Sequence, residues 1–224
     1  MKTRPRYFLL SLCAMILVLS LLPVWQASAS PLRDVSVNFR SVGANDGWVR
    51  ESTELSNVGG AMNAVATTFN LGDDASNRQY RAILQFNTAS IPDTATISAV
   101  KLTIHRQGAV VGTNPFTTHG LLRLDIRKGF FGPAATLAAS DFQAPATKNN
   151  AGAFSSTAIS GGSEYQAILP ASSFQYINLA GITQFRLRFS LDDNNDLSAD
   201  YMRFFSGNYT VVSDRPELEV EFTP

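Results

Sequence analysis

Cysteine is nearly absent: the 224-residue chain carries one, Cys13. No disulfide can close within the chain, so a full hydrophobic core or a bound metal must hold an exported form together. Histidine is almost as scarce, with only His105 and His119. Neither a G-x-S-x-G nor an H-E-x-x-H spacing occurs, so no local signature of a hydrolase or zinc peptidase is present. Charge is sparse too: 16% of residues, with Lys+Arg equal to Asp+Glu. That balance lacks the basic excess a nucleic-acid partner requires. After the N-terminal segment, no run reaches the roughly 18 apolar residues of a membrane-spanning helix.

What the N-terminus does contain is directional. Lys2, Arg4 and Arg6 precede the apolar run Phe8 to Leu22, and Ala27-Ser28-Ala29 offers small residues for cleavage. This arrangement predicts a secretory signal peptide over residues 1–29 and one domain over 30–224, secreted or at the cell surface. A lipoprotein reading at Cys13 is opposed by the bulky Leu12 and by the better cleavage site downstream. Without Lys2, Arg4 and Arg6, acidic residues exceed basic ones by three.

The remaining chain repeats with a period of two. Leu84 and Phe86, Leu102 and Ile104, Leu122, Leu124 and Ile126, Phe185, Leu187 and Phe189, and Leu218, Val220 and Phe222 alternate with polar residues. Strict alternation marks half-buried strands. Arg186 and Arg188, like Glu217, Glu219 and Glu221, fall in the polar phase, which predicts a solvated face. Further strands are predicted at 35–42, 47–51, 65–71, 175–179 and 201–205. Residues 133–162, rich in Ala, Ser, Thr, Gly and Asn, predict a long loop with a helical turn near 138–142. About ten short strands without a long helix predict an all-β, antiparallel, jelly-roll-like sandwich.

Asn77-Arg78-Gln79-Tyr80-Arg81-Ala82-Ile83-Leu84-Gln85-Phe86, then Ser90-Ile91-Pro92, then Ala95-Thr96-Ile97-Ser98-Ala99-Val100-Lys101-Leu102 resembles the DNRLRE domain. Segments 181–189, 192–201 and 215–218 resemble it less specifically, and the likeness spans about 34–222. That family is similar to disaggregatase-related carbohydrate-binding modules. The resemblance implies a jelly-roll sandwich in bacterial or archaeal surface and secreted proteins, often joined to polysaccharide lyases or hydrolases. It transfers no sugar-binding residue and brings no catalytic partner domain.

Several side chains are candidates for chemistry. Trp48, the one tryptophan after the signal segment, is either a stacking platform for sugar or an edge-packing residue, and Tyr201, Tyr165 and Tyr209 are further platforms. Asp192, Asp193, Asn194, Asp196 and Asp200 form the densest set of hard oxygen donors and could hold Ca2+. The same residues suit a polar hairpin turn without metal. It is not an EF-hand, because Leu197 and Arg203 stand where Gly and Glu are needed. Asp73-Asp74 is a weaker cluster. His105 and His119 read as surface residues. Asp73, Asp74, Asp125 and Asp141 could pair as carboxylates, but sequence spacing fixes no distance between them.

These readings converge on a secreted, non-catalytic module for extracellular or cell-wall polysaccharide. The alternatives are a structural or adhesive surface protein without a specific glycan and, third, a jelly-roll polysaccharide-cleaving enzyme.

Overall fold

The computed structural model describes residues 33–159 and 162–224; the signal segment 1–29, with Cys13, lies outside them. Among the described residues, twelve strands follow one another: β1 (Val35–Arg40), β2 (Gly47–Glu51), β3 (Gly59–Asn63), β4 (Thr68–Asp73), β5 (Gln79–Asn87), β6 (Thr96–His105), β7 (Leu122–Lys128), β8 (Lys148–Ala153), β9 (Glu164–Ile168), β10 (Ile182–Phe189), β11 (Tyr201–Phe205) and β12 (Glu217–Thr223). They form two antiparallel sheets. The smaller runs β1-β12-β6-β9 and the larger β11-β4-β5-β10-β7-β8, with β2 also paired to β5 and carrying β3. This is an all-β sandwich.

The alternation read from the sequence places the core. Ala82, Leu84 and Phe86 of β5, Leu122, Leu124 and Ile126 of β7, and Phe185, Leu187 and Phe189 of β10 point inward. They meet Val100, Leu102 and Ile104 of β6 and Leu218, Val220 and Phe222 of β12. A bridge from Arg106 to Phe204 joins the end of β6 to β11, so one side of the sandwich is stitched by main-chain hydrogen bonds.

Three strands escape the periodicity. β3 (Gly-Gly-Ala-Met-Asn) and β8 (Lys-Asn-Asn-Ala-Gly-Ala) contain no β-branched residue, and β9 has only Ile168. Pairing with neighbours, not intrinsic preference, makes them strands. Residues 133–162 are therefore not one long loop: β8 runs through them, and the turn predicted near 138–142 is a 3-10 helix at Ala139–Phe142. Conversely, 175–179 is not a strand, because Ala171–Tyr176 closes into a 3-10 helix.

The outer face of the larger sheet corrects a second expectation. Segment 129–146 folds back across it and builds a small second core of Val49, Ile83, Phe131, Leu137, Phe142 and Ala144. Arg186 therefore does not lie on a solvated face; it is only 5% exposed. Its Nη1 donates to the carbonyls of Asp141, Phe142 and Ala144 at 3.1, 3.1 and 2.7 Å. Its Nε and Nη2 donate to Asp125 Oδ2 at 3.1 and 2.9 Å. The polar phase of β10 supplies the guanidinium that satisfies the covering segment's buried carbonyls.

Candidate functional site

Strands β2, β5, β4 and β11 bring three aromatic rings together. Trp48 of β2 lies opposite Ala82, and Arg50 opposite Tyr80. Tyr80 lies opposite Gly72 of β4, and Gly72 opposite Tyr201 of β11. Gly72 adopts φ +126°, and a Cβ there would lie 2.0 Å from the Asp200 carbonyl oxygen. Only glycine fits, and without a side chain at 72 the two tyrosines meet across it. Trp48 stands edge-on to Tyr80 at 5.3 Å between centroids, and Tyr80 lies 5.8 Å from Tyr201. Tyr80 is 8% exposed, whereas Trp48 and Tyr201 are half-buried. Trp48 also packs against the core, so it serves partly as packing and partly as surface.

Polar groups border these rings. Arg50 Nη1 lies 3.0 Å from Asp74 Oδ2, and Arg78 Nη2 lies 2.7 Å from the same oxygen. Burial pushes the Asp74 carboxyl up, but hydrogen bonds from Arg78 and from the amides of Ser76 and Arg78 outweigh it and hold the group below its usual range. Burial raises the Tyr80 phenol despite the nearby Arg50, which keeps its hydroxyl neutral. The set combines apolar ring surface with a fixed cation, a carboxylate and a hydroxyl, which suits a ligand with both C–H faces and hydroxyl groups. Tyr80 and Arg50 were missed from sequence because Tyr80 falls in the core phase of β5 and nothing local ties it to Trp48.

The other aromatic candidates lie elsewhere. Tyr165 is buried and stacked on Phe116 at 5.5 Å, and Tyr209 stacks on Phe205 at 3.9 Å.

Within the acidic segment the side chains divide into two hydrogen-bonded sets. Asn194 Nδ2 donates to Asp196 Oδ2 and Asp200 Oδ2, both at 2.9 Å. Asp200 Oδ1 accepts from the Thr113 amide at 2.6 Å, and the Asp200 amide donates to Asp73 Oδ1 at 3.0 Å. Asp193 turns away and is 5% exposed; its Oδ1 accepts from the Asn195 amide, and its Oδ2 has no partner. Burial, and then Asp192, Glu54 and Asp73, raise its pKa. Among the described residues, no three His, Cys, Asp or Glu side chains converge as metal ligands do. Oxygen donors for a cation would have to include amide or main-chain carbonyls.

His119 is fully buried, contrary to the surface reading, because residues 115–118 form a short helix that turns it inward. Its Nδ1 lies 2.6 Å from Thr118 Oγ1 and its Nε2 3.2 Å from Asp73 Oδ1. His105 stays partly exposed, 3.7 Å from Glu164. Asp125 is bound by Arg186 and Arg188. Asp141 accepts from the Ala138 amide through Oδ2 while its Oδ1 has no partner.

No known protein-family profile and no curated protein sequence matches the chain.

Proposed function

We propose that the protein is an exported, non-catalytic module that binds extracellular or cell-wall polysaccharide at the Trp48–Tyr80–Tyr201 rings. The observation that carries this reading is the convergence of Trp48 and Tyr201, from opposite ends of the chain, on either side of Tyr80. A sugar ring would lay its C–H face on the half-buried aromatic surfaces while its hydroxyls meet Arg50, Asp74 and the Tyr80 hydroxyl. The DNRLRE resemblance, with the jelly-roll connectivity and surface location it implies, supports the same reading.

The test is a pull-down of the protein on insoluble polysaccharides, followed by affinity measurements on those that retain it. Tyr201→Ala and Trp48→Ala should each weaken binding about two- to tenfold, from roughly 0.5–1.5 kcal/mol per aromatic contact. Failure of every polysaccharide to retain the protein would favour the structural or adhesive alternative. Release of reducing sugar from a retained polymer would make the protein an enzyme.

Calcium is a separate proposal for segment 192–200, motivated by the unpartnered, buried Asp193 Oδ2. Millimolar Ca2+ should then raise the melting midpoint over that in EDTA, and Asp193→Asn should abolish the shift. An unchanged midpoint leaves the segment a polar turn.

A further inference from the structure

Beyond Tyr201 the edge of the larger sheet continues in the same chemistry. Tyr201, Arg203 and Phe205 alternate along β11 and are half-buried, while Met202 and Phe204 between them are buried in the core. Residues two apart on a strand share a face, so Tyr201 is the first of three side chains in line. Tyr209 extends that line, stacked on Phe205 at 3.9 Å between centroids and 21° between planes. At about 3.3 Å per residue, Phe205 lies about 13 Å from Tyr201 along the strand.

Two polar side chains stand between the rings. Asn70 of β4 lies directly opposite Arg203, and cross-strand partners share a face. Arg203 Nε is buried without a hydrogen-bond partner, and among the described residues no carboxylate pairs with its guanidinium. Buried donors are rarely left unsatisfied in a folded protein, and an exception calls for an explanation; a bound acceptor supplies one. The strand beneath is held on both edges. β4 pairs with it from Tyr201 to Phe205. On the other edge Val111 bridges Tyr201, Arg106 bridges Phe204, and the Gln107 amide donates to the Arg203 carbonyl at 2.8 Å. Side chains on a backbone fixed in this way lose little freedom on binding.

We propose that the Arg203 face of β11 is a second sugar-binding subsite, continuous with the Trp48–Tyr80–Tyr201 rings, so that the protein grips several successive units of a polysaccharide. The Phe205–Tyr209 stack offers ring surface to one unit. Arg203 presents fixed N–H donors and Asn70 both donors and an acceptor, which suits the hydroxyl groups of the unit between the two sets of rings. The distance from Tyr201 to Phe205 is longer than a single pyranose ring, so one sugar cannot reach both. The proposal rests on the polysaccharide reading for its class of ligand, but Asn70, Arg203, Phe205 and Tyr209 play no part in that reading.

Affinity electrophoresis through gels containing xylan, laminarin, dextran or polygalacturonate selects a polymer that retards the protein. Calorimetry with the disaccharide and hexasaccharide of that polymer then tests the subsite. The hexasaccharide should bind roughly fivefold or more tightly than the disaccharide, because it adds an aromatic contact. Tyr209→Ala should weaken hexasaccharide binding about two- to tenfold and Arg203→Gln roughly two- to fivefold, both with disaccharide binding unchanged. Tyr201→Ala should weaken both ligands. Arg203→Gln should keep the melting midpoint of the unmodified protein, so it separates binding from folding if Tyr209→Ala loosens the turn after β11. Equal affinity for the two lengths, or hexasaccharide binding that neither variant alters, overturns the subsite; if Tyr201→Ala still weakens binding, the aromatic site stands without it. If Arg203→Gln and Tyr209→Ala weaken binding while Trp48→Ala and Tyr201→Ala do not, the β11 face stands and the ring site fails. Retardation by none of the polymers overturns both.

Discussion

Arg186 and Leu187 are neighbours that face opposite sides of β10, and both are buried. Leu187→Ala should cost about 2–5 kcal/mol through lost burial and the cavity left behind. Arg186→Ala should cost a comparable 3–5 kcal/mol or so, because Asp125 loses a buried partner and three carbonyls lose their donor. Urea unfolding of the two variants checks this; a loss for Arg186→Ala under 1 kcal/mol would mean that segment 129–146 does not cover the sheet. Asp46 gives a pH signature. It is fully buried, accepts from the amides of Gln85 at 2.8 Å and Gly207 at 3.2 Å, and has its pKa raised by burial from 3.8 to about 7. Between those values the unfolded chain ionises Asp46 more readily than the folded one does. Its contribution to stability is therefore intact below pH 4 and declines as pH rises towards 7, by at most about 4 kcal/mol. In Asp46→Asn, a less stable protein because one amide then faces an N–H group, that part of the urea-midpoint slope should vanish.

Gly72 acts at the level of the element. A side chain at φ +126°, and 2.0 Å from the Asp200 carbonyl oxygen, forces β4 and β11 apart. Gly72→Ala should therefore lower the melting midpoint and weaken polysaccharide binding together, measured on the same preparation. Phe142→Ala, in the small second core, should cost about 3–5 kcal/mol in urea and release the segment that Arg186 anchors. The elements that were legible in the sequence share one property: β5, β6, β7, β10 and β12 each turn one face to the main core, so their apolar residues alternate. Where a second layer buries the other face, alternation misleads. Arg186 and Gln184 look solvated yet are buried beneath 129–146. β8 and β3 carry no apolar alternation because register, not composition, makes them strands. The same reason divides the candidate site. Trp48 and Tyr201 stand out as residue types, but their link through Tyr80 and Gly72 exists only once β2, β5, β4 and β11 are paired. The five donors between Asp192 and Asp200 are close in sequence, yet Asn194 joins Asp196 to Asp200 while Asp193 turns inward.

At the scale of the molecule, the chain's near neutrality conceals a separation of charge. Glu217, Glu219 and Glu221 alternate along β12 of the smaller sheet, where Lys101 pairs with Glu219 and Arg40 with Glu217. Arg81, Arg188 and Arg123 lie on the larger one. If residues 1–29 direct export as the sequence predicts, Edman sequencing of secreted protein should begin Ser30-Pro31-Leu32; a lipid on Cys13 would replace that mechanism. The position of β12 has a consequence in time. It is the last of the described strands, yet it lies between β1 and β6, with Phe222 beside Val35. Among the described strands β1 pairs only with β12, so it has no strand partner until residues 217–223 have been synthesised. Closure of the chain from Arg40 to Glu217 must precede any reward from this pairing. A chain that stops before Glu217 leaves β1 without a strand partner and exposes the edge of β6, and should accumulate as aggregate.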